Sequence, residues 1–103
     1  MNHYAYTPIT DDPIVLDLTD CQDWDDLHRR IRKTFGFPAY YGENWDAMWD
    51  CLRDVFLLER DRRQISVVGF CTMPNELQQE CQTMQNIFLR LQQNYPGVVI
   101  RYL

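Results

Sequence analysis

The sequence predicts an α/β domain built on a three-stranded parallel sheet packed by three to four helices, and three observations carry that prediction. Short apolar, β-branched runs of strand length recur at residues 14–18, 65–70 and 98–103. The stretches between them repeat apolar residues every three or four positions, the period of a helix. Each connection is also long enough to hold the crossover that parallel neighbours require. A chain of 103 residues fits a single domain, 1–103, whose core removes roughly 60 to 70% of the unfolded surface from water. It leaves no room for a second, catalytic domain. An apolar fraction of 46% with 24% charged residues is globular rather than disordered.

Residues 1–13 read as an irregular lead closed by Pro13. Ile14-Val15-Leu16-Asp17-Leu18, bounded by Pro13 and Thr19-Asp20, forms the first strand. A helix follows, with Asp23 placed to cap it, Asp25 and Asp26 in the first turn where the dipole favours anions, and Arg29, Arg30, Arg32 and Lys33 near its end. Trp24, Leu27, Ile31 and Phe35 make one apolar stripe, and Gly36 suits the left-handed position after the last turn. Residues 37–43 contain Pro38 and Gly42 and cannot continue the helix, so they form a loop leading to a new N-cap at Asn44. In the second helix Trp45, Met48, Trp49, Leu52, Val55 and Phe56 define the inner stripe, with Asp46, Asp50 and Asp54 on the other side. After a charged turn at 59–63 comes the buried strand 65–70. Pro74 then suits the first turn of a long helix whose seam is Leu77, Cys81, Met84, Phe88, Leu91 and Tyr95, ended by Pro96-Gly97. The pattern does not encode strand order; with the first strand central, the expected order is 2-1-3.

Ten Lys and Arg against fifteen Asp and Glu leave a net charge of −5 and a pI near 4.8. That balance argues against a nucleic-acid binder, whose affinity comes from cations that displace phosphate counterions. The expected partner is neutral or basic. Residues 1–54 hold a net −6, so the excess acid lies in the N-terminal half. No apolar run approaches the roughly 20 residues that cross a bilayer, and the N-terminus has neither the basic start nor the apolar run of a secretory signal. Cys21, Cys51, Cys71 and Cys81 include no close pair of the kind that makes a metal knuckle or a redox dithiol. Reduced core thiols in a cytoplasmic protein are the expectation, with disulfides only if the chain is exported.

Asp46, Asp50 and Asp54 are like charges at i, i+4 and i+8, each adjacent pair costing roughly 0.2 to 0.5 kcal/mol of helix stability. A helix does not need them in order to fold. The bland account is a solvated face relieved by Arg53 and water. Against it stands the company of Trp45, Trp49, Tyr40, Tyr41 and Gly42, since aromatics beside carboxylates are what protein interfaces use; the Tyr pair equally suits the edge of the core. Signs of an enzyme are thin. His3 lies in the lead, His28 beside an apolar stripe where a satisfied structural or surface role fits it, and no GxSxG, HExxH or P-loop is present. Glu43, Asp46 and Asp50 have oxygens that Mg²⁺ accepts, but one helix and its cap supply few converging ligands. No enzyme, metal or cofactor is expected.

The run Asp26-Leu27-His28, followed by Pro38-Ala39-Tyr40-Tyr41-Gly42-Glu43-Asn44-Trp45-Asp46-Ala47-Met48-Trp49-Asp50-Cys51-Leu52, resembles the barstar family of intracellular ribonuclease inhibitors. The motif covers about a quarter of the chain, and the element order agrees with that family. The resemblance implies that the partner is a basic secreted-type ribonuclease or ribonuclease toxin domain, held by an immunity protein or antitoxin. It implies that Asp50 takes the place of a substrate phosphate among the nuclease's Arg, Lys and His side chains, supported by Asp46 one turn earlier. Tyr40 would lie against a catalytic imidazole, Gly42 and Asn44 would let the loop approach closely, and Trp45 and Trp49 would pack at the interface edge. Two features depart from the family's best-known member. Asp54-Val55, preceded by Arg53, stands where that member has a Gly-Trp pair at the far edge of the face, and Arg90 falls in a region where that member carries an acid. A non-inhibitory module that binds another basic protein through the same helix is the alternative, and a small metal-dependent enzyme using Glu43, Asp46 and Asp50 a third.

Overall fold

A computed structural model describes residues 6–57 and 62–103; His3 and residues 59–61 of the charged turn lie outside them. Within this range the expected α/β architecture is present, with element order β1 (Ile14–Asp17), α1 (Trp24–Phe35), α2 (Trp45–Phe56), β2 (Arg63–Val68), a 3₁₀ turn (Phe70–Thr72), α3 (Asn75–Asn94) and β3 (Val98–Tyr102). The local signals act as their chemistry requires. The Asp23 carboxylate accepts the Asp26 N–H and caps α1, which Gly36 ends at φ 66°. The Asn44 side chain accepts the Ala47 N–H and caps α2.

The three strands are all parallel, and β2 is central rather than β1. Ile14 stands opposite Ile65 and Leu16 opposite Val67 on one side; Ile65 stands opposite Ile100 on the other. The 2-1-3 order expected from the sequence is therefore corrected to 1-2-3, and the reason lies in the crossovers. Two right-handed crossovers that step in the same direction lay every helix on one face of the sheet, whereas 2-1-3 would divide them between both. Ile14, Leu16, Ile65 and Val67 are buried on the covered face, while Val15 and Val99, pointing the other way, are 47% and 42% exposed.

A second correction concerns β2, which ends at Val68 and not at Phe70. Gly69 turns the chain out of the sheet at φ 76°, where a Cβ would run into the backbone of Thr19. The left-handed conformation at Gly69 ends the extended run and leads into the 3₁₀ turn. The core between sheet and helices is filled by Phe35, Phe56 and Phe88 with Met48, Leu52 and Met84, all fully enclosed. Cys21, Cys51 and Cys81 are buried free thiols, as expected of core residues, but Cys71 sits exposed in the 3₁₀ turn. Burial pushes the Cys81 thiol up to about 12, which keeps it protonated and inert.

The end of the lead is part of the fold. Thr7 N–H donates to the Gly36 carbonyl at 2.9 Å, an approach so close that a Cβ on Gly36 would collide with the Thr7 carbonyl. Next to it the Tyr6 hydroxyl donates to the Asp54 carboxylate at 2.8 Å. The lead thereby ties the end of α1 to the end of α2. Among the described residues no helix is long and apolar enough to cross a membrane.

Candidate functional site

The loop between α1 and α2 is held from below. Phe37 and Pro38 are buried, the Tyr41 N–H donates to the Pro38 carbonyl at 3.0 Å, and the Tyr41 ring packs 5.1 Å from that of Phe37. The Tyr41 hydroxyl lies 2.7 Å from His28 Nδ1. Burial pushes the Tyr41 phenol well above its usual range, so it stays protonated, and the proton in the Tyr41–His28 hydrogen bond is carried by the hydroxyl or by Nδ1 according to the His28 tautomer. His28 is wholly enclosed, between the rings of Trp24 and Trp45. The surface reading of this residue is thereby excluded. As a structural histidine it is satisfied at Nδ1 and, among the described residues, has no partner at Nε2. Burial draws its imidazole down to about 4 from the ordinary 6.5, so the ring is neutral at physiological pH.

The exit of the loop is fixed as firmly. Trp24 Nε1 donates to the Glu43 carbonyl at 3.1 Å, and Glu43 adopts φ 51°, a left-handed conformation uncommon outside glycine. The Asn44 amide donates to the Gly42 carbonyl at 3.1 Å while its oxygen caps α2 at 2.8 Å. One side chain thus sets both the loop's shape and the start of the helix.

On this support the sequence-predicted residues fall into two groups. Tyr40, Gly42, Asn44, Asp46, Asp50 and Arg53 are exposed along the loop and α2, with Tyr40 at 62%. Trp45 and Trp49 are half-buried, Trp45 against Trp24 and His28. Tyr41, grouped with Tyr40 in the sequence reading, is only 6% exposed; its side chain supports the loop from beneath because the hydrogen bond to His28 draws it inward. The three-acid stripe also divides. Asp54 is engaged by Tyr6, whereas Asp46 and Asp50 have no hydrogen-bond or ion-pair partner among the described residues. Arg53 forms no ion pair with either among the described residues, and its guanidinium lies 6.0 Å from the centre of the Trp49 ring.

Sequence reasoning missed how Trp24 and His28 act together under the loop. The available signal was their spacing: four residues apart on α1, they share a face, and that face looks toward the start of α2. It also missed Tyr6, whose reach to Asp54 no local pattern announces. Among the described residues no three His, Cys, Asp or Glu side chains converge as a metal site, so Glu43, Asp46 and Asp50 do not form the cluster that a metal-dependent reading needs.

A parallel sheet covered on one face, with a hydrogen-bonded loop leading into a helix that exposes Asp46 and Asp50, defines a small α/β domain. The family model described as "Barstar (barnase inhibitor)" matches residues 12–102, and the chain belongs to that family. A relative from Bacillus subtilis (strain 168), "Putative ribonuclease inhibitor YrdF", is 44% identical over 39 residues, 38% of this chain and 43% of the relative. The matched segment is thus less than half the length of that protein.

Proposed function

We propose that this protein inhibits a small basic ribonuclease by laying the 38–44 loop and the exposed face of α2 into the enzyme's active site. The observation that carries the reading is the pair of exposed, unpartnered carboxylates, Asp46 and Asp50, beside a loop whose shape is locked by Tyr41, His28, Trp24 and Asn44. A ribonuclease cleft is cationic because it binds phosphates. Carboxylates on a helix offer it the same charge in a form it cannot cleave, and a preformed surface avoids the ordering cost of binding. Asp50 takes the phosphate-like position, Asp46 reinforces it, Tyr40 and Gly42 line the approach, and Trp45 and Trp49 close the edge. Charge attraction of this kind raises association rates by roughly 10- to 10³-fold and fades with salt. The physiological role is that of an immunity protein or antitoxin acting in the cytoplasm of a cell that makes a secreted-type ribonuclease.

The test is RNA cleavage by barnase in the presence of the purified protein. Cleavage should slow with added inhibitor, less so at high salt, and Asp50→Ala should relieve it far more than Arg90→Ala. A protein that in large excess leaves barnase and a panel of other small basic ribonucleases untouched, or an Asp50→Ala variant as potent as the parent, would sink the proposal. Capture of a non-nuclease basic protein by an otherwise inactive domain would favour the regulatory alternative.

A further inference from the structure

The binding face carries cations that the fold leaves unneutralised. Arg53 is exposed on α2 and Arg90 on α3, and both turn toward the Trp49 ring, with the Arg90 guanidinium 4.4 Å and that of Arg53 6.0 Å from its centre. The closer distance is a cation–π contact; the farther lies at its limit. Among the described residues neither arginine has an ion-pair partner, although Asp50 adjoins Trp49 and Asp54 adjoins Arg53 in the chain. Asp54 is engaged by Tyr6. Two guanidinium groups therefore stand at one half-buried indole with planar N–H donors to spare, the geometry that a carboxylate satisfies best.

Position on the helix makes this patch part of the same surface. Arg53 follows Asp46 by two turns, a rise of about 10 Å, which is well inside the span of an ordinary protein interface. A partner whose cationic cleft covers Asp46 and Asp50 must also place its rim over Arg53, Trp49 and Arg90. A cationic rim would be repelled there, and an acidic one attracted.

Building on the nuclease-binding reading above, we infer that Arg53, Trp49 and Arg90 form the specificity-determining edge of the face and receive a carboxylate side chain from the partner. The protein selects ribonucleases that are basic in the cleft and acidic at the rim facing α3. Arg90 is held in place by Trp49, so the receiving group is formed before the partner arrives.

The test uses barnase and a set of its variants in which each Lys or Arg at the mouth of the cleft is replaced singly by Glu. Inhibition constants are measured with the parent chain, with an Arg53→Ala/Arg90→Ala double variant and with Asp50→Ala, after matching thermal unfolding midpoints confirm that each is folded. At least one Glu variant should be inhibited about tenfold more tightly than barnase by the parent chain, and the gain should vanish in the double variant. The inference is overturned if no Glu variant gains, or if the gain survives loss of both arginines. Inhibition that depends on Asp50 but ignores rim charge defeats this inference alone, whereas absence of inhibition throughout the set and the wider ribonuclease panel defeats the nuclease reading as well.

Discussion

Helices α1 and α2 are both 12 residues long and both carry acid in the first turn, yet they use their carboxylates differently. In α1, Asp23 caps the helix, and Asp26 pairs with Arg29 at 3.0 Å and with Arg30 at 2.9 Å. Arg30 also donates to the carbonyls of Asp17 and Thr19, stitching the helix to the end of β1. In α2 the cap is the neutral Asn44, Asp54 is taken by Tyr6, and Asp46 and Asp50 face solvent alone. Both helices are stable amphipathic elements, so helicity does not explain the unpaired acids. Asp46, in the first turn, still gains from the helix dipole, but Asp50 lies beyond it, costs the helix a little and gives the fold nothing, and that is where a binding role belongs.

That contrast can be broken experimentally. Asp50→Ala should weaken inhibition by roughly 30-fold to a few thousand-fold, the range for removing one partner of a buried, hydrogen-bonded charge pair at an interface, with the thermal midpoint unchanged or raised. An inhibition titration beside a melting curve reads both. Next in size is the histidine that joins the two helices. Because the His28 imidazole is drawn down to about 4 in the folded protein, the unfolded chain binds the extra proton between about 6.5 and 4. Its contribution is therefore complete above about 6.5 and lost as pH falls toward 4, on the order of 3 kcal/mol at most. Unfolding free energies of the parent and His28→Gln across that window measure it; parallel curves would show that His28 is not responsible. Asp23→Ala should cost about 1 kcal/mol through loss of the α1 cap and leave inhibition intact, the reverse of Asp50. Smallest of all, Asp50→Asn should raise stability by about 0.2 to 0.5 kcal/mol for each like-charge pair relieved, measurable by urea titration. A loss of stability there would mean that Asp50 serves the fold after all.

The parts of this molecule legible in the sequence are those that local chemistry decides. Asp23, Asn44 and Gly36 end or begin helices because their own side chains, or the lack of one, satisfy backbone groups within a few residues. The long α3 seam is legible for the same reason, although Ile87 joins it as a buried residue beside the positions read from the sequence. Strand order was not legible, because the crossover direction leaves no mark on apolar periodicity. Gly69 hid inside an apolar run, its close approach to Thr19 being a contact between distant parts of the chain. At the candidate site the exposed acids were visible as a costly pattern. The inward turn of Tyr41 depended on His28, and the convergence of Arg53 and Arg90 on Trp49 depended on α2 meeting α3.

The lead clamped onto Gly36 has a consequence for how variation in this protein would be read. Any side chain at position 36 must push the Thr7 carbonyl away, and Tyr6, its neighbour, goes with it and releases Asp54. In a survey of random variants scored for loss of inhibition, changes at 36 would share a phenotype with changes at 6 and 54, though none of the three lies among the residues proposed to meet the nuclease. Such a group would map the strap that holds the far end of α2, and it would stand apart from the group that maps the face itself.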